Sequence, residues 1–456
     1  MSAVATQDRP VRPTVPAPSA EHAAPGARWS SLDRAPAVAL VAFLATLPLE
    51  WVTVTDAIGG FIKPFHLSAA VLAVVGLARW APGRLIVPVL RRHGGVYLAY
   101  YVLLGAAVAG GLAFADPLLA PNLVFRQAVY AFTSVVIAGV VALIVGRGRE
   151  RLLAWSGAAS AAVLLVGLGV ALSAGPTNPL RLVSDAVRNG DPDIISYQLL
   201  RSAFRTEADL ADVVASLRHK VFLGLLVAVF LGLACLPAIA RRHRLARVGL
   251  AASAVIGVTL VLLSLSRSAI VCLVIAVALV PLAMVVRNRL KPIHAAAFGL
   301  VVVVVVGLAV SPVGELLYTR FNQSGSYTAR VEAAGPLFLE QFENAALLGT
   351  SRVDIERSPH NLILHSWLGG GVVAAVAAVV MLFSLGRVWL HEARRYLTGR
   401  PGWVVPINQV WVLGLGIIPF IRAFTAGNQL HMVEWTAIGV FLGLVMANDR
   451  MAAEPD

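Results

Sequence analysis

Long apolar runs separated by short polar segments recur along most of the chain. Most are close to the ~20 residues that an α-helix needs to cross the hydrocarbon core of a bilayer. The stretch 247–286 is about twice that length, so it predicts two helices with a break at Ser264-Leu265-Ser266-Arg267. The predicted spans are twelve, at 36–54, 66–82, 94–114, 123–146, 152–173, 220–240, 247–265, 268–286, 295–312, 362–385, 404–421 and 431–447.

Composition supports the same assignment. Of the 456 residues, 58% are hydrophobic and only 13% are charged. A soluble domain carries about 25% charged residues, so an ordinary soluble enzyme and a disordered chain are both excluded for the whole sequence. We therefore predict an all-α fold, a polytopic integral membrane protein with about 12 transmembrane helices and two helical extracytoplasmic loops.

The net charge of +13 would suggest a nucleic-acid partner in a soluble protein. Here the positions of the basic residues are more informative than their sum. With the N-terminus in the cytoplasm, every short inside segment is basic, as the positive-inside rule requires. This predicts a multi-pass protein of the cytoplasmic (inner) membrane with both termini cytoplasmic, membrane lipids as partners and no nucleic acid.

The domain organisation follows from these spans. Residues 1–34 are rich in Pro, Ala, Arg and Ser without an apolar period, which predicts a disordered cytoplasmic tail. Residues 35–447 form the membrane domain, and 448–456 form a second cytoplasmic tail. The outer loops 174–219 and 313–361 are long and carry helical stripes of apolar residues, so we expect them to be ordered and to hold any chemistry.

Several common motifs are absent from the sequence. It has no P-loop, no HExxH and no Cys/His cluster at metal spacing, which argues against an ATP-driven pump or a metalloprotease. Cys235 and Cys272 lie inside apolar runs, where small buried residues are expected. The run Gly369-Gly370-Gly371 lies in an apolar helix and predicts close helix packing.

The strongest local signal is Ser358-Pro359-His360-Asn361-Leu362, at the outer start of the tenth span. Asn361 is suited to cap that helix. His360 then lies at the membrane surface, where a histidine can act as a general base near neutral pH. The alternative is an interfacial histidine that only hydrogen-bonds a loop.

Four arginines on the outer side form the other signals. Arg267, in Ser266-Arg267-Ser268, opens a span, where it either binds an anion or extends to the headgroups. Arg330 precedes an apolar stripe and is either a ligand or a solvated helix charge. Arg201 and Arg205, in the first outer loop, either bind substrate or contact headgroups. Together with His360, these guanidinium groups suit transfer from a lipid-linked phosphate donor.

The order of these motifs resembles the O-antigen ligase/polymerase family. Leu-Ser-Arg-Ser-Ala-Ile opens a long apolar helix, and an outer loop with Arg330 and Leu348-Gly349-Thr350 follows. His360-Asn361-Leu362-Ile363-Leu364 and Leu368-Gly369-Gly370-Gly371 then open a later helix. The resemblance is strongest over 260–385. Elsewhere it rests on the twelve-span layout with a large outer loop before the histidine.

The resemblance implies an inverting glycosyltransferase that needs no metal and no other cofactor. Its donor would be a polyprenyl-diphosphate-linked glycan at the outer leaflet, and its acceptor a glycan or glycolipid. His360 would activate the acceptor hydroxyl, and Arg330 would act with it in catalysis. The diphosphate would be held by Arg330 and by one arginine of the first outer loop, Arg201 or Arg205, with Arg267 as a further candidate. Asn361 and Ser266 would support the site.

Two alternatives stay open at this stage. The first lies within the same family, where a repeat-unit polymerase uses the same donor linkage as a glycan ligase and differs only in its acceptor. The second is a secondary solute transporter, because twelve spans is a common transporter number. Transporters, however, place ionisable residues near the midplane, whereas here they cluster at outer ends, as Glu50 and Glu434 do.

Overall fold

The computed structural model of the chain describes the residues that form most of the predicted spans. These residues are 31–49, 62–114, 121–173, 185, 188–189, 211–240, 243–264, 266–286, 347, 349, 361–399, 403, 405–425 and 430–453. Every regular element in these ranges is a helix, which agrees with the predicted all-α class.

Twelve α-helices are described, one of them a single turn. They are α1 (Ser31–Thr46), α2 (Pro64–Arg79), α3 (Pro82–Leu85), α4 (Val87–Phe114), α5 (Pro121–Val145), α6 (Ser156–Ser173), α7 (Ala211–Cys235), α8 (Arg244–Leu263), α9 (Arg267–Val286), α10 (Leu362–Thr398), α11 (Gln409–Thr425) and α12 (Met432–Ala453). Short 3₁₀ turns at Glu150–Trp155 and Leu236–Ala238 precede α6 and follow α7.

Eight of these helices are long and apolar enough to cross a membrane, and they coincide with eight predicted spans. The predicted spans 36–54, 66–82 and 404–421 correspond to shorter apolar helices. The predicted span 295–312 lies outside the described residues. The chain is therefore a membrane-embedded helical protein, and the count of twelve spans stays a prediction.

Large apolar side chains face outward along the helices. Phe125 and Phe383 are each 72% exposed and Val74 is 67% exposed. Exposing such side chains to water is unfavourable, whereas lipid tails solvate them readily. This surface agrees with membrane lipids as partners.

Helix α12 is the central helix of the bundle, and it packs along α5. A Cβ atom added to Gly443 would lie 2.6 Å from the Ala138 carbonyl oxygen, and one added to Gly439 would lie 2.6 Å from the Ser134 carbonyl oxygen. The two glycines are four residues apart, so they lie on one face of α12 and let the two backbones approach closely.

We expect Gly443→Leu to separate α12 from α5 and to lower the free energy of unfolding by about 1–3 kcal/mol, as overpacking typically does. The melting temperature of the detergent-solubilised protein measures this effect. Gly105→Leu is the matched control, because an added Cβ at Gly105 has no atom within 4 Å. Equal melting temperatures for the two variants would contradict this close packing.

Helices α9, α10 and α11 pack together, because Leu279, Ala393 and Leu413 share one buried apolar cluster. We call the end of the bundle that the positive-inside rule places outside the cell the outer end, and the opposite end the inner end. The alternation of the spans across the membrane stays a prediction.

Several helix boundaries differ from the prediction. Helix α1 spans Ser31–Thr46 instead of 36–54, α4 begins at Val87 instead of 94, and α12 ends at Ala453 instead of 447. Helix α7 begins at Ala211, so the end of the predicted outer loop 174–219 already belongs to the same helix as the span that follows. Helix α10 runs past the predicted end at 385 to Thr398, and Gly399 ends it in the left-handed conformation (φ 64°). A hydropathy pattern locates only the apolar part of a helix. The helix itself can continue into polar residues on either side, so its ends differ from those of the apolar run.

Candidate functional site

Asn361 caps the outer end of α10. Its Oδ1 accepts hydrogen bonds from the backbone N–H groups of Ile363 at 2.9 Å and Leu364 at 3.2 Å, as an N-cap residue does. The predicted cap is therefore confirmed. The residue before the cap, His360, lies outside the described residues, as do Arg330, Arg201 and Arg205.

Helix α10 is broken at Gly370 and Gly371. Gly370 has φ −143° and ψ 19°, and Gly371 has φ 68° and ψ −162°, a conformation that only glycine adopts readily. The sequence predicted only close packing here. The packing is present, because a Cβ on Gly370 would lie 2.7 Å from the Ala107 nitrogen of α4. The break is the additional finding.

Gly349 lies against this break. A Cβ atom on Gly349 would lie 2.6 Å from the Leu368 carbonyl oxygen and 2.9 Å from the Gly371 nitrogen. Gly349 also has a positive φ of 79°. Gly349, which belongs to one segment of the motif resemblance, is thus in contact with Leu368, Gly370 and Gly371, which belong to another.

The predicted junction between the seventh and eighth spans is confirmed. Helix α8 ends at Leu263 and α9 begins at Arg267. The Ser264 hydroxyl donates to the Val261 carbonyl oxygen at 2.6 Å and accepts from the Ser266 N–H at 3.1 Å. Ser266 is fully buried and Arg267 is partly buried, so the junction packs into the bundle rather than projecting from it.

A buried ion pair joins α11 and α12 at their outer ends. Arg422 Nε donates to Glu434 Oε1 at 2.7 Å, and both side chains are nearly inaccessible. The second carboxylate oxygen, Oε2, accepts from the His431 N–H at 2.8 Å. Both oxygens of Glu434 are therefore engaged, one by the ion pair and one by the first turn of α12, where a carboxylate is favoured.

Arg422 also carries an unsatisfied donor. Its Nη1 atom is buried and has no hydrogen-bond partner among the described residues. Buried guanidinium donors are normally satisfied, so such an atom is a candidate for binding an anion. The Glu434 carboxylate fixes the plane of the guanidinium group and thereby the direction of this free donor.

Two further cations lie at the same end of the bundle. Lys220 is at the start of the α7 span, and Arg126 is near the start of α5. Both residues, like Arg422, are close enough to His431 to act on it electrostatically. Three helices therefore bring cations to the outer region that contains Glu434. We call Arg126, Lys220, Arg422, His431 and Glu434 the outer charge cluster.

Aromatic and polar side chains connect this region to α2. His66 Nδ1 accepts from the Lys63 N–H at 3.1 Å, so its Nε2 carries the proton and donates to the Tyr130 hydroxyl at 3.0 Å. On α5, Tyr130 is one turn from Arg126. The Tyr100 hydroxyl donates to Gln127 Oε1 at 2.7 Å. The Tyr100 ring packs edge-on against the ring of Trp435, the neighbour of Glu434 in the sequence.

The sequence reasoning placed Glu434 near an outer span end but missed the rest of the outer charge cluster. The signal that could have found it is general, because ionisable residues inside or at the ends of membrane helices are costly and usually paired. Arg422 directly follows the predicted span 404–421, and His431 opens the span 431–447.

The outer charge cluster contains guanidinium and ammonium groups, which are the side-chain groups that bind phosphate oxygens. Within the described ranges, no group of three or more His, Cys, Asp or Glu side chains could hold a metal ion. In comparisons with known proteins, no family model matches the chain and no curated protein matches it. The resemblance therefore rests on the sequence motifs alone.

Proposed function

We propose that the protein is a membrane glycosyltransferase of O-antigen ligase type. It transfers an oligo- or polysaccharide from a polyprenyl diphosphate to an acceptor hydroxyl at the outer face of the cytoplasmic membrane. The observation that carries the proposal is the contact of Gly349 with the break in α10, the helix that Asn361 caps. This contact joins motif segments that lie apart in the sequence and that the resemblance assigns to one site.

The reaction exchanges one C–O bond for another. The bond between the anomeric carbon and the phosphate oxygen breaks, and a bond from that carbon to the acceptor oxygen forms. His360 takes the proton of the acceptor hydroxyl, and polyprenyl diphosphate leaves. The negative charge that develops on the leaving group is stabilised by Arg330 and by an arginine of the first outer loop, Arg201 or Arg205, with Arg267 at the head of α9 as a further ligand.

The outer charge cluster supplies a second set of donors for the same leaving group. Glu434 orients Arg422, and the buried Nη1 of Arg422 has no hydrogen-bond partner among the described residues. Electrostatic stabilisation by guanidinium groups needs no metal ion.

The test uses the native host. The gene is deleted and complemented with wild type, and lipid-linked glycans are weighed by mass spectrometry. Long glycans accumulating on polyprenyl diphosphate in the deletion strain, cleared by wild type, would identify a ligase. Accumulation of single repeat units would identify the polymerase alternative. No change in lipid-linked glycans would reject both.

We expect chelation of divalent ions by EDTA to leave transfer intact, because guanidinium groups take the part that a metal plays in many glycosyl and phosphoryl transfers. Transfer is measured in membranes from the complemented strain, before and after EDTA. The control adds Mg²⁺ or Mn²⁺ back after chelation. Inhibition by EDTA that either ion rescues would contradict the metal-independent mechanism.

A secondary solute transporter is the second candidate, and one observation favours it. Helix α10 is discontinuous within its apolar part, and broken helices form the substrate sites of many transporters. Uptake of labelled solute into proteoliposomes distinguishes the two. The transporter reading predicts uptake without any change in lipid-linked glycans, and the glycosyltransferase reading predicts the reverse.

A further inference from the structure

The inner ends of α4 and α12 border an open surface cavity whose polar lining consists of arginines. Its volume is about 310 Å³, and it is lined by Pro88, Arg91, Arg92, Met446 and Arg450. This volume corresponds to roughly ten water molecules, enough for a phosphate-containing headgroup. We call it the inner arginine cavity. It is separate from the outer charge cluster and independent of the proposed function.

The charges of the cavity are not balanced. Asp449, next to Arg450 in the sequence, pairs with Arg92 and also accepts from Arg395 Nη1 at 3.3 Å. Arg91 and Arg450 make no ion pair within the part of the chain that the structure describes. Two guanidinium groups therefore face the cavity region without a carboxylate to neutralise them, and an anion is the complementary ligand.

The wall of the cavity is held in place by a polar network. Besides Asp449, Arg395 contacts the buried Glu392, with 3.3 Å between Nη1 and Oε1. Glu392 Oε2 accepts from Trp403 Nε1 at 2.9 Å. These contacts tie the inner ends of α4, α10 and α12 to one another. Asp449 holds Arg92 in position through this network, so the third guanidinium group is preorganised.

An apolar surface adjoins the cavity. Val87 and Leu90 are 37% and 43% exposed, and they share a face of α4 with Arg91 at helical spacings of three and four residues. The basic cavity lies at the predicted level of the cytoplasmic headgroups, beside a lipid-facing surface. A phospholipid has the same arrangement, because its anionic phosphate lies next to its acyl chains.

We propose that the inner arginine cavity binds an anionic phospholipid of the cytoplasmic leaflet. Arg91 and Arg450 bind the phosphate together with Arg92, and an acyl chain lies along Val87 and Leu90. Basic side chains near a membrane surface also attract anionic lipids without any defined site. The proposal differs from that diffuse attraction because it depends on these arginines and not on the total charge of the inner face.

The test is a lipid titration of the purified full-length protein in neutral detergent, followed by native mass spectrometry. Phosphatidylglycerol and phosphatidylcholine are added separately. Wild type is expected to retain phosphatidylglycerol preferentially. One arginine near a surface contributes about fivefold in affinity, so Arg91→Gln combined with Arg450→Gln should weaken phosphatidylglycerol binding about 30-fold. If the double variant is not monodisperse, the single variant Arg450→Gln replaces it in the titration, with an expected loss of about fivefold in phosphatidylglycerol affinity.

The matched control is Arg244→Gln combined with Arg247→Gln. These residues lie in the first turn of α8 at the same predicted face, away from the cavity, and their replacement removes the same charge. Unchanged binding in this control supports the proposal. Equal weakening in both double variants would overturn it in favour of diffuse attraction. Displacement of the lipid by an equal concentration of inorganic phosphate would overturn the commitment to a phospholipid.

Discussion

Glu434→Gln is expected to lower the free energy of unfolding by about 3–5 kcal/mol, because it leaves the Arg422 charge buried without its partner. The glutamine has nearly the same shape as the glutamate and can still accept a hydrogen bond from the His431 N–H. The packing and the helix cap therefore change little. The expected loss reflects the unpaired guanidinium group, whose Nε donates to Glu434 Oε1 at 2.7 Å in a nearly inaccessible site.

Two controls separate this effect from a general loss of charge. Asp449→Asn breaks ion pairs at the inner end, where the partner Arg92 is 44% exposed, and exposed pairs contribute about 0–1 kcal/mol. Arg422→Met combined with Glu434→Gln removes both charges and should recover much of the lost stability. Denaturant or thermal unfolding in detergent gives each value. A Glu434→Gln variant as stable as Asp449→Asn would contradict the buried pair.

His360→Ala and Arg330→Ala are expected to abolish glycan transfer while the protein still inserts into the membrane. Loss of a general base typically costs ~10²–10⁴ in rate, and loss of one donor to a developing oxyanion costs ~10²–10³. With transfer slowed by either factor, lipid-linked glycan should accumulate in the complemented strain as it does in the deletion strain. The measurement is the amount of lipid-linked glycan in deletion strains complemented with each variant.

Matched controls come from the inner end of α10. His391→Ala and Arg394→Ala remove the same residue types from exposed positions on the helix that Asn361 caps. These controls should restore transfer fully. Membrane abundance of each variant is compared with wild type by immunoblot. Normal glycan from His360→Ala or from Arg330→Ala would remove that residue from the site.

The amino-acid pattern predicts the elements of this fold better than it predicts their contacts. Apolar runs locate eight membrane-length helices, and Ser264-Leu265-Ser266-Arg267 marks the junction between α8 and α9. Asn361 is recognisable as a cap because capping involves neighbouring residues only. Each of these features depends on local chemistry that a sequence displays directly.

The features that were missed depend on contacts between elements. Arg422 and Glu434 belong to different helices, and periodicity within one helix does not reveal which partner a charge finds across a loop. The break at Gly370 and Gly371 was missed because three glycines in an apolar run are equally suited to close packing. A helix break is distinguished from simple close packing only by the positive φ of Gly371 and by the contact with Gly349.

Reconstitution tests glycosyl transfer from a polyprenyl diphosphate most directly. Purified protein is placed in liposomes with lipid-linked glycan extracted from the deletion strain and with a membrane extract that supplies the acceptor. Released polyprenyl diphosphate is then quantified by mass spectrometry. The account predicts release by wild type in step with glycan transfer, and none above background by His360→Ala. Absence of release with wild type, or equal release with both proteins, would contradict it.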